Sequence, residues 1–173
     1  MMKRFKIFFS IIVLCSVSLI SCGDSGGGDD DPDTYIKIEE VGGTSKTYKA
    51  GLSDKTSGKP FSYTTGGSID YLAFPTSIKT SDFDKNSTTR ISIKYSNNKG
   101  VGTYSEAAPV SLSIKVLYDS EINGGSILST NSGELIVTEY GDYNEGTFTF
   151  TGDNTKSYTG SFVVKHLKSD PFN

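Results

Sequence analysis

Apolar and polar side chains alternate with a period of two residues along several stretches of the chain. Leu112, Ile114, Val116 and Tyr118 form the longest apolar series, and polar side chains stand at most of the positions between them. A period of two places successive side chains on opposite faces of a strand, and one polar face is typical of antiparallel sheets. Eleven strands are predicted in this way, at residues 35–41, 45–50, 61–65, 68–74, 89–95, 101–104, 110–118, 126–129, 134–140, 145–151 and 157–166.

Turn-forming residues separate these strands. Clusters of Ser, Asn, Asp, Lys and Gly occupy residues 96–100, 123–125, 131–133 and 152–154, where they favour breaks between strands. Outside the N-terminal segment, no run of ten residues has helical periodicity. The pattern predicts a single all-β domain at residues 34–173, built as an antiparallel β-sandwich or a partly closed barrel, and it does not decide between the two.

The first 21 residues have the organisation of a signal peptide. Lys3, Arg4 and Lys6 form a positive segment, and residues 7–20 are apolar apart from three serines. This apolar run is too short for a membrane-spanning helix, which needs about 20 residues. We therefore predict that residues 1–21 are cleaved from the mature protein.

The residues Leu19-Ile20-Ser21-Cys22 end this segment and resemble the lipobox of bacterial lipoproteins. The resemblance implies that the Cys22 thiol receives a diacylglyceryl group, that the chain is cut before it, and that the new amine is acylated. Each buried methylene of such chains contributes about 0.8 kcal/mol, so several chains together anchor a protein stably. The predicted partner at this end of the chain is a membrane.

Residues 22–33 are predicted to be a flexible linker, since they hold five aspartates and no apolar side chain large enough to build a core. Asp29, Asp30 and Asp31 also suggest a cation site, but a solvated spacer is favoured because nothing holds them in a coordination geometry. An acidic stretch behind a lipidated cysteine resembles the export signals of some Gram-negative lipoproteins. This likeness implies the outer membrane, with the periplasmic or extracellular face left open.

Charge and cysteine content limit which partners and which covalent cross-links the domain is expected to have. Removal of the signal peptide leaves 14 basic and 20 acidic side chains, and five of the acids lie in the linker. The domain is therefore almost neutral and has no basic stripe in its sequence, which argues against nucleic acid as a partner. Cys15 leaves with the signal peptide and Cys22 is lipidated, so we expect no disulfide.

The residues for catalysis are few. His166 is the only histidine, and a serine-histidine mechanism would depend on it alone. A hydrolase that uses paired carboxylates needs only two acids. The candidates for such a pair are Glu39, Glu40, Asp70, Glu106, Glu121, Glu134, Glu139 and Glu145. Each is also explained as a solvated charge, and we predict that the protein is not an enzyme.

No cofactor or metal is predicted. Asp82-Phe83-Asp84-Lys85-Asn86 resembles the start of a calcium-binding loop, with oxygen-bearing side chains at alternate positions. Ser87 then stands where the loop needs a sharp-turn glycine, and Ile93 where it needs a bidentate glutamate. A loop rich in Asp and Asn is the better interpretation.

Four segments of the chain resemble a group of uncharacterised all-β bacterial lipoprotein domains. They are Gly100–Tyr104, Gly133–Tyr140, Glu145–Thr151 and Tyr158–Lys165, the last two with Gly-x-Phe patterns. The likeness covers roughly residues 100–166. It implies a β-sandwich-like module, and it carries no functional residue because that group has no established activity.

A binding or interaction module is the favoured function, with a glycan, a peptide or a partner protein as the ligand. Exposed loops with aromatic and amide groups suit such a role, and Tyr140 and Tyr143 flank glycine within one such loop. A plain hairpin loop that covers the edge of the core would have the same composition. A structural or assembly role in the envelope is the first alternative, and a carboxylate-based hydrolase is the second.

Overall fold

The computed structural model describes residues 31–96, 100–105 and 111–173. The predicted signal peptide, Cys22 and most of the predicted linker lie outside these residues. Ten strands follow one another in the order β1 Tyr35–Glu40, β2 Ser45–Tyr48, β3 Phe61–Thr65, β4 Ser68–Ala73, β5 Arg90–Tyr95, β6 Gly102–Ser105, β7 Leu112–Leu117, β8 Ile127–Glu139, β9 Tyr143–Gly152 and β10 Ser157–Leu167. A short 3-10 turn at Thr80–Asp82 and one helical turn, α1, at Ser120–Asn123 complete the described elements. The predicted all-β class is confirmed.

Seven of the strands close into a barrel. Neighbouring strands follow the order β10, β3, β4, β5, β7, β8 and β9, and β9 pairs again with β10 to complete the ring. The β1–β2 hairpin adds to β10, and β6 adds to β8. Every pairing is antiparallel except that of β10 with β3, which is parallel and short. The structure thus decides for the barrel where the sequence left barrel and sandwich open.

Strand β8 corrects one prediction. Residues 131–133 were expected to break the chain between two strands, but β8 runs through them from Ile127 to Glu139. Ser132 and Gly133 pair with Thr151 and Phe150 of β9, and the register shifts at a bulge between Thr130 and Ser132. An extra residue at a bulge bends a strand without ending it. The bend lets one edge of β8 pair first with β7 and then with β6.

The barrel interior is a packed hydrophobic core. The alternating apolar positions of the strands point inward, and most of these side chains have almost no exposed surface. Phe150 and Tyr158 stack with ring centroids 4.8 Å apart, and the hydroxyls of Tyr71 and Tyr95 lie 3.3 Å apart. Removal of this apolar surface from water is the main force that stabilises the domain.

A second, smaller core lies on the outer face of β3 and β4. Phe61, Leu72 and Phe74 are buried there, and Phe83 and Phe172 pack against them. The loop after β4 and the C-terminal residues therefore cover one side of the barrel. This cover forms one wall of the groove described below.

Asp119 connects the β1–β2 hairpin to the barrel. Its side chain is almost fully buried and accepts hydrogen bonds from the Tyr48 hydroxyl, from Lys46 Nζ and from the backbone N–H groups of Glu121 and Ile122. It is thus the N-cap of α1 as well as the ion-pair partner of the partly buried Lys46. These partners satisfy a carboxylate that would be costly to bury alone.

Candidate functional site

A groove of about 240 Å³ crosses the outer face of β4, β5 and β7. Its position follows from the alternation in those strands, because side chains between the core positions point outward. The lining has an apolar part, a pair of serine hydroxyls, one carboxylate and four cationic side chains. These are Tyr63, Leu72, Phe83 and Leu117; Ser92 and Ser113; Asp70; and Lys85, Arg90, Lys94 and Lys115.

Strand register places lysines and serines in a small lattice on this face. Ser92 of β5 stands opposite Lys115 of β7, and Lys94 of β5 stands opposite Ser113. The two lysines are therefore diagonal neighbours on adjacent strands, at a spacing that long side chains bridge. Both lysines are exposed, so their ammonium groups are available to a ligand in the groove.

Arg90 is a fixed positive charge at one end of the groove. Its guanidinium donates to the carbonyl oxygens of Asp84, Lys85 and Thr88 at 3.3, 2.6 and 3.0 Å, and it lies 5.0 Å from the centre of the Phe83 ring. Burial lowers the pKa of Arg90, and the nearby Asp84 acts in the opposite direction. An arginine remains protonated in such surroundings, so the charge persists.

Asp70 is the one carboxylate of the groove lining. It lies opposite Lys94 on the neighbouring strand, with 3.6 Å between Lys94 Nζ and Asp70 Oδ2. Burial raises the pKa of Asp70, while the charge of Lys94 and a hydrogen bond with Tyr63 act to lower it. One carboxylate among four cations leaves the groove with a clear positive excess.

The tyrosines that the sequence suggested for binding lie outside the groove lining. Tyr140 packs against the barrel core, and its ring centroid is 5.4 Å from that of His166. Tyr143 is the first residue of β9, is half-buried, and has Lys165 Nζ 6.0 Å from its ring centroid. Both side chains thus have packing partners within the domain, and their role in binding stays a prediction.

His166 belongs to a polar network at one end of the barrel. Ser62 Oγ lies 3.0 Å from His166 Nδ1 and accepts a hydrogen bond from Asn144 Nδ2, also at 3.0 Å. Ser62 and Asn144 have no exposed surface, and burial lowers the pKa of His166 although Asp142 opposes this. The network joins β3, β9 and β10. A nucleophilic serine needs an oxygen that a substrate can reach, whereas the Ser62 side chain is buried within this network.

Several of the eight acids considered for a hydrolase pair form ion pairs with lysines. Glu39 is paired with Lys37 at 3.2 Å, Glu40 with Lys156 at 2.8 Å, and Glu121 with Lys46 at 3.2 Å. Glu134 and Glu139 are exposed on β8 and Glu145 lies on β9. Glu106 lies outside the described residues. Of the candidates, Asp70 alone lines the groove.

The loop that resembled a calcium site is organised by Asp84. Its carboxylate accepts hydrogen bonds from the Asn86 N–H at 2.8 Å and from the Ser87 hydroxyl at 2.6 Å. These bonds lower the pKa of Asp84. Residues 31–96, 100–105 and 111–173 contain no group of three or more His, Cys, Asp or Glu side chains that could hold a metal ion.

The sequence alone did not identify the cationic side chains of the groove as a site. Lys94 and Lys115 occupy polar positions of their strands, where the alternation alone does not single them out. The available signal was the shared alternation of lysine with serine in Ser92-Ile93-Lys94 and Ser113-Ile114-Lys115. It becomes informative only once β5 and β7 are known to be neighbours.

Comparisons with protein-family models, with curated proteins and with solved structures give no match for this chain. The likeness of residues 100–166 to uncharacterised lipoprotein domains therefore stays a prediction. Within the part of the chain that the structure describes, no helix has the length and apolar character needed to cross a membrane.

Proposed function

We propose that this protein is a lipid-anchored, non-enzymatic binding module, and that the groove on β4, β5 and β7 binds an anionic ligand. The observation that carries the proposal is the cationic lining: Lys85, Arg90, Lys94 and Lys115 face one carboxylate, Asp70. The domain as a whole has almost equal numbers of acidic and basic side chains. The positive excess is thus a local property of this surface.

The surroundings of the groove favour binding of a charged ligand. The apolar side chains Leu72 and Leu117 are buried beneath it, which lowers the local dielectric and strengthens the attraction between charges. Arg90 is held by three carbonyl oxygens, so its charge is already in position before a ligand arrives. A preorganised charge costs little conformational entropy on binding.

The N-terminal segment supports the placement of this module on a membrane. The lipobox-like Leu19-Ile20-Ser21-Cys22 would supply the anchor, and residues 22–33 would span up to roughly 40 Å when extended. This reach would let the domain meet ligands away from the lipid surface. The proposed location is the outer membrane of the bacterial envelope.

Two experiments test the two parts of the proposal. Full-length protein should appear in the membrane fraction, carry lipid on Cys22 by mass spectrometry, and leave that fraction as the Cys22→Ala variant. An unmodified Cys22 at the mature N-terminus would refute the anchor.

The groove is tested by retention of the protein on immobilised dextran sulfate, with unmodified dextran as the uncharged reference. We expect retention that decreases with salt, and a several-fold weaker interaction for Lys115→Gln. Lys37→Gln is the matched control, because Lys37 also has a solvent-accessible side chain on a strand but lies on β1, away from the groove. Equal effects of the two variants, or no retention of the wild-type protein, would contradict an anion-binding groove.

A further inference from the structure

We infer that the ligand of the groove is an acidic sugar, with a carboxylate that meets the lysines and hydroxyl groups that meet Asp70. This inference rests on the proposed function and narrows its ligand class. It would make Asp70 the residue that distinguishes a sugar acid from a simple anion.

The size of the groove fits a compact ligand. Its volume of about 240 Å³ is below the ~300–1,000 Å³ of pockets that enclose drug-sized ligands. The groove is open on the outer sheet face, so one unit of a longer chain can occupy it while the rest extends into solvent. A single sugar ring within an acidic glycan meets both conditions.

The polar lining offers two different kinds of recognition side by side. Lys94 and Lys115 are donors with positive charge, and they suit a carboxylate. Ser92 and Ser113, which stand opposite these lysines, can both donate and accept hydrogen bonds. Sugar hydroxyls also donate and accept, so a hydroxyl-rich acid can use all four side chains together.

Asp70 is the group that a bare anion cannot use. An ionised carboxylate only accepts hydrogen bonds, and it repels phosphate, sulfate or a carboxylate that has no donor of its own. Sugar hydroxyls donate to such a carboxylate and form hydrogen bonds stronger than those between neutral groups. A ligand that combines one anionic group with hydroxyl donors therefore matches Asp70 and the lysines at once. The carboxylates of an acidic peptide lack those hydroxyls.

Aromatic stacking is not part of this recognition. One neighbour of the Phe83 ring is Phe172, stacked at 4.4 Å between centroids, and another is the Arg90 guanidinium at 5.0 Å. Tyr63 is buried and meets Phe172 edge-on. The aromatic side chains thus support the groove from within. A sugar in this groove would have no aromatic ring to stack on. The acidic group of the ligand must therefore supply much of the binding affinity.

The test compares three probes on the wild-type protein by calorimetric or NMR titration: trigalacturonate, its neutral methyl ester, and sodium sulfate. We expect trigalacturonate to bind at least tenfold more tightly than either of the others. Asp70→Asn should weaken trigalacturonate about tenfold without weakening sulfate, whereas Lys115→Gln should weaken both. The methyl ester keeps the sugar hydroxyls and removes only the negative charge. Its affinity therefore shows how much of the binding depends on the carboxylate.

The outcomes separate this inference from the proposed function. If no anionic probe binds to the wild-type protein, the anion-binding groove itself fails. If anions bind but Asp70→Asn leaves trigalacturonate unchanged or tighter, only the sugar-acid inference fails. Poly-glutamate is titrated as an additional probe, and tighter binding of poly-glutamate than of trigalacturonate would assign an acidic peptide as the ligand and overturn the sugar-acid inference as well.

A second variant keeps the test valid if Asp70→Asn does not fold normally. Near-ultraviolet circular dichroism and the melting midpoint will report whether Asp70→Asn disturbs the neighbouring Tyr63. Should it do so, the double variant Ser92→Ala and Ser113→Ala replaces it. That variant should weaken trigalacturonate several-fold more than sulfate, because sulfate can accept hydrogen bonds from the serines but has no donor for them. Equal weakening of both probes would overturn the inference.

Discussion

The ring of Phe148 on β9 lies over Gly160, the residue directly opposite it on β10. A Cβ atom added to Gly160 would stand 2.1 Å from Phe148 Cζ and 2.3 Å from the Lys37 carbonyl oxygen. The reciprocal pair is Phe162 over Gly146, where an added Cβ would stand 2.6 Å from Phe162 Cζ. Each strand thus supplies the glycine that the ring of the other strand requires. This is the physical reason for the two Gly-x-Phe patterns in the sequence.

Gly160→Ala should therefore destabilise the barrel. We expect a loss of about 3 kcal/mol in the free energy of unfolding, measured by urea denaturation, since both a core ring and a backbone oxygen would have to move. Gly141→Ala is the control, because the nearest atom to its added Cβ is the Tyr143 oxygen at 4.0 Å. Similar losses for the two variants would show that steric overlap at Gly160 is not the cause.

Asp119 should govern part of the stability of the domain at acidic pH. Burial acts to raise the pKa of Asp119, but the hydrogen bonds from Tyr48, Lys46 and the Glu121 N–H outweigh it, and the pKa is lowered. The folded pKa thus lies below the unfolded value of about 3.9. The resulting stabilisation is present above that value and is lost as pH falls through the folded pKa.

The Asp119→Asn variant tests this role. At pH 7 we expect it to lose about 2 kcal/mol of unfolding free energy, because the hydrogen bonds from Tyr48 and Lys46 lose their charged acceptor. Its stability should also depend less on pH below about 4 than that of the wild type. Asp33→Asn is the control, since Asp33 forms a lysine pair in which both side chains are mostly exposed, and such pairs contribute little. A steeper acid dependence in Asp119→Asn would contradict the assignment.

His166 should give a second, separate pH dependence. Burial lowers its pKa, and the charge of Asp142 only partly opposes this, while Ser62, Asn144 and the Tyr140 ring add no further charge. The folded pKa therefore lies below the unfolded value of about 6.5. Stability contributed by neutral His166 is present above pH 6.5 and declines as pH falls towards the folded pKa, because the unfolded chain takes up the proton first.

A comparison of the wild type with His166→Asn between pH 7 and 5 measures this effect. No other histidine titrates in that range, so the difference between the two stability curves isolates His166. We expect the wild type to lose stability relative to the variant as the pH falls. Parallel curves would mean that His166 has the same pKa in the folded and unfolded states.

Two substitutions show whether Tyr140 and Tyr143, the tyrosines suggested by the sequence, belong to the core or to a binding site. Tyr140 packs on the barrel core and Tyr143 is half-buried at the start of β9. On this basis Tyr140→Ala and Tyr143→Ala should each reduce the unfolding free energy by about 2 kcal/mol. A change within about 0.5 kcal/mol, combined with loss of a ligand, would instead support the loop as a binding site.

The sequence by itself determined the strands. Each strand needs only its own alternation of apolar and polar side chains and turn residues at its ends, and both are local properties. The positions of β3, β4, β5 and β7 follow from this pattern to within two residues at each end. The break expected at residues 131–133 was wrong because the turn residues there are absorbed by a bulge, which pairing with β9 stabilises.

Closure of the barrel and formation of the groove were decided by the tertiary structure alone. The ring closes through pairings such as His166 with Ser62, which join residues far apart in the chain and leave no mark on the local pattern. The cationic groove likewise depends on the register that places Lys94, Lys115 and Asp70 on adjacent strands. Alternation states which face a side chain occupies, but only the packing of strands against one another determines which side chains share that face.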